Sequence, residues 1–246
     1  MNGPLKLIHI TDLHLGDKAG DQLSNINCDE SLKQVMNLFK ENTYDALLIT
    51  GDIAANGARE AYQRLQHILS DIEAPIYLLP GNHDNLAAMQ QVFGTPEKNN
   101  VLGDWQIILL DSNADNRYFG QLSSDELNFL ERSLQKERDK HSLIALHHPP
   151  VDIGSQWMDA MQLKNKDEFF AIIESYSSPQ AIIWGHTHQE FDQQRKGVRL
   201  LSSPSTCSQF LPRSDQHQKD TLGPGYRWLE LYADGRIKTG IIRVSE

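Results

Sequence analysis

Five short stretches of this chain concentrate groups that bind metal ions or move protons. They are Asp12 and His14 in "TDLH", Asp52 in "GD", Asn82, His83 and Asp84 in "GNHD", His147 and His148 in "HHPP", and His186 and His188 in "GHTH". Carboxylate oxygen, imidazole nitrogen and amide oxygen occur together, with no thiolate among them. That donor set suits Mn, Fe, Co or Zn better than a soft ion and exceeds what Mg or Ca requires. A lone Asp-x-His is most often a solvated turn, and a lone Gly-Asp is common in loops. Two histidines one residue apart in a turn opened by glycine have no obvious packing purpose. The conjunction of the five stretches, which hold six of the ten histidines, points to one site.

The stretches must be carried to one place by the elements before them. Each follows an apolar run: "LKLIHI", "DALLIT", "PIYLLP", "SLIALH" and "QAIIWG", with "WQIILL" preceding a further "DS". Continuous Ile, Leu and Val runs suit strands buried on both faces. Helical spacing appears between several of them, in "SLKQVMNLFK", "AREAYQRLQHILSDI" and "SSDELNFLERSLQKER", the last opening on an N-cap signature. In open α/β sheets ligands sit beyond the carboxyl ends of the strands, so these loops are expected along one edge. "RWLELYADGRIKTGIIRV" alternates around an "ADGR" turn and reads as an antiparallel hairpin, with no helix expected after about residue 177. Two longer irregular stretches, "PPVDIGSQWMDAMQLKN" and "SSPSTCSQFLPRSDQHQKDTLGPGY", have the length of functional lids rather than plain connections.

With 246 residues, 39% hydrophobic and 23% charged, the chain has enough apolar material for one enzyme-sized domain and is read as a single domain over 1–246. A formal net charge of -10 without a basic stripe disfavours long nucleic acid as a partner. No apolar run is long enough for a membrane span, and the N-terminal apolar stretch is too short for a signal peptide, so a cytoplasmic protein without a membrane partner is expected. Cys28 and Cys207 lack zinc-site spacing and are expected to be reduced and structural.

The motif series D-x-H, GD, GNH[DE], H and GH-x-H, in this order, resembles that of the calcineurin-like metallophosphoesterases. The resemblance implies a metallophosphatase-type αββα sandwich of mixed β-sheets flanked by helices, here with the C-terminal hairpin added. It implies one metal ion held by Asp12, His14, Asp52 and His188, and a second by Asp52, Asn82, His147 and His186, with Asp52 as the bridge. His83 then stands beside the scissile phosphate with Asp84 as its partner, and Asn82, His83 and His188 meet the substrate. His148 is assigned a supporting role. Over nearly the whole chain "ITDLHL", "GDIAANG", "LPGNHD", "LLDS", "LHHPP", "WGHTHQE", "SPSTCSQF" and "PGYRWLELYADG" are similar to bacterial class III 3′,5′-cyclic-AMP phosphodiesterases. Asn56 stands where those relatives usually carry an acid.

The implied activity is hydrolysis of 3′,5′-cyclic AMP to 5′-AMP by attack of a metal-bridging hydroxide, with Fe and/or Mn as the expected ions and Zn or Co as alternatives. His83, if protonated, can donate to the leaving 3′ oxygen. Trp157, Phe210 and Tyr226 are candidates to stack on adenine, or simply to pack the lid at about 200–226, and Asn25 and Asn27 are candidate donors to it. His9 alternates within a buried strand and reads as a core histidine. The alternative substrates are glycerophosphodiesters or nucleotide-linked diesters; the chain acts alone or as a homodimer. A non-catalytic scaffold of the same family predicts broken ligand sets, and none of the seven positions is missing.

Overall fold

The structure, a computed structural model, describes residues 3–114 and 117–245. In chain order the elements are β1 (Leu5–Ile10), β2 (Gln22–Leu23), β3 (Ile26–Asn27), α1 (Cys28–Asn37), β4 (Ala46–Thr50), α2 (Arg59–Ile68), β5 (Ile76–Leu79), α3 (Leu86–Phe93), β6 (Asn99–Leu102) and β7 (Trp105–Leu109). They continue with α4 (Ser124–Lys136), β8 (His141–Ala145), α5 (Gln156–Asp159), α6 (Lys166–Ile173), β9 (Pro179–Trp184), β10 (Phe191–Arg195), β11 (Val198–Ser202), β12 (Gly225–Leu231) and β13 (Ile237–Arg243). Each of the six apolar runs holds a strand.

Among the described residues the strands form two mixed sheets and a separate antiparallel hairpin of β2 and β3. One has the order β13-β12-β1-β4-β5, the other β10-β11-β9-β8-β7-β6. The strands β1, β4 and β5 run parallel, as do β7, β8, β9 and β11, while β12, β13, β10 and β6 join antiparallel. Alternation along each strand divides the core into three layers. In β4, Ala46 and Leu48 enter the layer between the sheets, with Leu7, Ile107, Leu143 and Ile183. Leu47 and Ile49 face α1, α2 and α3 through Leu32, Leu65 and Met89. On the far side Ile144, Ile182 and Trp184 face α4 and α6 through Leu130, Leu134 and Phe169. This is the expected αββα sandwich, with the C-terminal hairpin formed by β12 and β13 and, among the described residues, no helix after α6.

The helix starts follow from their caps. Asn27, Asn85 and Ser123 each accept a backbone N–H three residues on, satisfying a donor the helix itself cannot. Polar groups also cross between the sheets. His9 on β1 pairs with Ser203 beyond β11, and Arg227 on β12, fully buried, donates to the carbonyls of Ser202 and Phe191. Burial pulls the Arg227 guanidinium down to about 10, and burial, then Arg227, pulls His9 down to about 3.

The cysteine expectation is overturned: Cys28 and Cys207 are joined in a disulfide spanning 179 residues. The fold lays the first turn of α1 against the loop after β11, a proximity that sequence spacing does not reveal.

Candidate metal centre

Asp12 and His14 follow β1, Asp52 follows β4 and Asn82 and His83 follow β5, all on the first sheet. His147 follows β8, and His186 and His188 follow β9, on the second. The centre therefore sits on the seam between the two sheets, at one edge of the sandwich.

Five of these residues, Asp12, His14, Asp52, His186 and His188, have φ between 47° and 63°. Non-glycine residues rarely adopt this left-handed region, and it clusters at functional sites. Backbone hydrogen bonds hold them there: Asp12 N donates to Gly51 O at 3.0 Å, and His14 N to Asp52 O at 2.8 Å. Gly81 is needed for closeness: a Cβ there would collide with the Asp52 carboxylate and backbone.

Ligand-capable atoms fall into three groups within 4.8 Å: Asp12, His14 and His188; His14, Asp52 and His83; and Asp52, His147 and His186. The Asp52 carboxylate faces two ways. Its Oδ1 lies 3.4 Å from His147 Nε2, and its Oδ2 lies 3.7 Å from His14 Nε2. His188 Nε2 stands 3.2 Å from Asp12 Oδ1 and 3.1 Å from His14 Nε2. Asn82 Oδ1 is 3.1 Å from His147 Nε2. Every one of the seven metal-ligand candidates thus reaches this cluster.

The outer ring nitrogens are fixed by carbonyls. His147 Nδ1 donates to Thr50 O, and His188 Nδ1 to Ser208 O, both at 2.7 Å, so each ring turns Nε2 to the centre. His186 Nε2 is buried with no hydrogen-bond partner. The buried His186 Nε2 without a partner, and imidazole nitrogens of His14 and His188 converging to 3.1 Å beside Asp12 and Asp52, fit the donor set of metal ions. The charges agree. Burial alone would raise both acids, but His188 beside Asp12 and His147 beside Asp52 hold them below the usual carboxylate range. Burial opposes a proton on His147, yet Asp52 beside it raises that ring to about 9. Burial, more than any neighbour, drives His14 down to about 4 and His186 and His148 well below the ordinary range.

His83 differs from the others. Its side chain is 42% exposed to the cleft, and its Nδ1 donates to Ala55 O at 2.9 Å, which leaves Nε2 free, 4.0 Å from Asp52 Oδ2. The expected Asp84 partnership does not form. The Asp84 carboxylate instead accepts from Ile53 N, Ala54 N, Gly81 N and the Tyr62 hydroxyl at 2.8–3.1 Å, tying the loop after β4 to the loop after β5. Burial, then Asp52, raises Asp84 to about 6. His148 is buried behind the centre with Nδ1 on the Ser112 hydroxyl.

A cleft of about 550 Å³ opens on His14, Asn82, His83 and His188 and extends to Trp157, Phe210 and His217. Its other wall is the β2–β3 hairpin, through Gln22, Leu23 and Ser24, and Asn56 also lines it. Tyr226 is withdrawn into the core against Phe39, Asn27 caps α1, and Asn25 lies in the hairpin turn outside the lining. Residues 201–209 are buried, and Ser205 Oγ donates to Asp12 O while Thr206 N donates to Thr11 O. Phe210 stacks on His188 with centroids 4.1 Å apart and planes 9° apart. Sequence reasoning missed Thr50, Ala55 and Ser208 because they act through backbone carbonyls, which leave no side-chain signature.

The profile of the calcineurin-like phosphoesterase family matches residues 5–190, three quarters of the chain and the span that holds all five metal-binding stretches. The chain belongs to the calcineurin-like phosphoesterase family. Among curated members, the "3′,5′-cyclic adenosine monophosphate phosphodiesterase CpdA" of Pseudomonas aeruginosa is 38% identical over 98% of this chain and 90% of its own. The "3′,5′-cyclic-nucleotide phosphodiesterase alr5338" of Nostoc is 39% identical over 98% of this chain and 93% of its own. The fold is shared with solved structures at far lower identity. The purple acid phosphatase PPD1 of yellow lupin superposes with a TM-score of 0.68 at 13% identity, covering 99% of this chain and 54% of that one. A dimetal phosphatase of Danio rerio gives 0.65 at 14%, covering 99% and 100%.

Proposed function

We propose that this phosphoesterase hydrolyses 3′,5′-cyclic nucleotides, cyclic AMP among them, to the 5′-monophosphate at a dinuclear metal centre. The observation that carries the reading is Asp52, whose two oxygens face different ligand groups and so suit a bridge between two ions. Asp12, His14, Asp52 and His188 would hold one ion, and Asp52, Asn82, His147 and His186 the other. Fe or Mn fits these donors best, with Zn or Co next, and such a pair supplies positive charge for the phosphate and an activated water as nucleophile.

The chain's own groups do the rest. Carbonyls of Thr50 and Ser208 keep the ligand rings oriented without rearrangement. Asn82 and His188 border the cleft where the phosphate binds. His83, fixed by Ala55 O with Nε2 directed to the cleft, is placed to give a proton to the departing 3′ oxygen or to stabilise charge on the phosphate. Asp84 serves by bracing the loops that carry Asp52 and His83. Relatives named for the same cyclic nucleotides, aligned over nearly the full chain, support the substrate class. No described helix is long and apolar enough to cross a membrane.

The test is turnover by the Mn- or Fe-reconstituted protein of cyclic AMP, cyclic GMP and a 2′,3′-cyclic nucleotide, beside bis-p-nitrophenyl phosphate. Cyclic AMP is expected to be cleaved to 5′-AMP. Cleavage of the nitrophenyl diester alone would leave a phosphodiesterase of another substrate class.

A further inference from the structure

The far end of the cleft is made of side chains that no step of the proposed hydrolysis uses. Trp157, Met158 and Met161 come from α5 and its flank, and His217 from the loop before β12. We propose that this wall is a nucleobase subsite that works by stacking, and that it selects nucleotides as a class over base-free phosphoesters without choosing adenine over guanine. The inference rests on reading the adjoining centre as a phosphoester site.

The ring geometry carries the argument. Trp157 meets Phe210 and His217 edge-on, with centroids 5.1 Å from each and planes at 75° and 77°, and Phe210 meets His217 at 5.0 Å and 70°. These three rings pack by edges against faces, so none of them is stacked parallel on another within the cluster. Phe210 already spends one face on His188, which makes it a support of the metal centre. Trp157 has no parallel ring partner among the described residues, is partly buried against the core, and borders the cleft.

The wall is also held still. The Asp159 carboxylate accepts from Ile153 N at 2.7 Å and Gly154 N at 3.2 Å, which pins the turn leading into α5. Opposite, Lys219 Nζ donates to Ser24 O at 3.1 Å, joining the loop that bears His217 to the β2–β3 hairpin across the cleft mouth. A cleft bordered by an indole and a hairpin suits a planar base. The partly buried thioether of Met161 adds contacts that do not depend on the base's hydrogen-bond pattern, with Met158 packed in the core behind it. Apart from Asp52, Asp21 is the one acid among the described lining residues, and its Oδ2 already accepts from Lys18 N. Guanine's N1–H and N2–H therefore meet one exposed carboxylate, and that one is engaged in holding its own loop. Stacking tolerates every base because every base has a π-face.

The experiment uses the metal-reconstituted full chain hydrolysing bis-p-nitrophenyl phosphate, with inorganic phosphate, ribose 5-phosphate, 5′-AMP and 5′-GMP as competitors. The expected result is 5′-AMP and 5′-GMP within about threefold of each other, and each about tenfold or more tighter than ribose 5-phosphate. Trp157→Ala should erase the nucleotide advantage and Trp157→Phe should keep most of it, while inhibition by phosphate in the same preparations reports an intact metal centre. Ribose 5-phosphate equal to 5′-AMP, a tenfold gap between 5′-AMP and 5′-GMP, or an unchanged ratio in Trp157→Ala would each overturn the proposal. If the diester is not turned over, the phosphoesterase reading fails separately. Calorimetric binding of 5′-AMP against ribose 5-phosphate then decides the subsite.

Discussion

Asp52 and His83 sit within 4.0 Å of each other and are assigned separable work. Asp52→Ala removes the group that faces both ligand sets, so elemental analysis should find both ions lost. His83→Ala should retain about two ions per chain while kcat falls by about 10²–10⁴, the usual contribution of a positioned acid–base group. Metal loss in His83→Ala would mean that the group formed with His14 and Asp52 is a ligand set. The proton balance of His147 gives a second expectation. Among protein groups alone its ring titrates near 9, raised by Asp52, so it is charged at pH 7.5 and must become neutral to ligate. Metal binding should therefore release close to one proton from this ring below about pH 8, and progressively less as the pH rises past 9. Calorimetry in buffers of different ionisation enthalpy measures the count; pH-independent zero release would contradict the assignment.

The loops after the strands behave as braced elements. Asp84 gathers three backbone N–H groups and the Tyr62 hydroxyl from three segments, and Asp84→Ala leaves those buried donors without an acceptor. A loss of about 2–4 kcal/mol in stability is expected from urea unfolding, together with weaker metal retention because Asp52 and Asn82 lose their shared support. The disulfide ties α1 to the loop whose Ser208 carbonyl orients His188. Unreduced, denatured protein should show no free thiol with Ellman's reagent, and a full count of two would refute the link. Reduction should cost about 3–5 kcal/mol, as for a long closed loop. The strands and the metal motifs were legible in the sequence because buried runs and scarce side chains both leave marks in composition. The short strands β6 and β10 were not, since "NNVL" and "FDQQR" carry little apolar pattern. Nor was the role of Asp84: its neighbour His83 suggested a pair, while the structure turns its carboxylate to backbone donors. The cysteines escaped for a related reason, since contact between residues so distant in the chain is a property of the assembled layers.

At the scale of the molecule the two sheets are held by an apolar layer crossed by His9, Arg227 and the ligand residues. His9 titrates near 3 when folded and near 6.5 when unfolded, so the unfolded chain binds the extra proton below pH 6.5. Stability should fall as the pH drops from about 6.5 toward 3, by up to about 1.4 kcal/mol per pH unit from this residue. Urea melts at pH 7, 6 and 5 should show a shallower decline in His9→Gln than in the parent chain, although the variant is weaker at pH 7. The split origin of the ligands has a wider consequence. Residues before about 100 supply Asp12, His14, Asp52 and Asn82, and residues after 140 supply His147, His186 and His188. Neither half owns a complete coordination set, so the centre acts as a proofreader of assembly. A chain whose layers have docked out of register holds no ions and performs no hydrolysis, and two separately expressed halves would report their own correct reunion by the metal they retain.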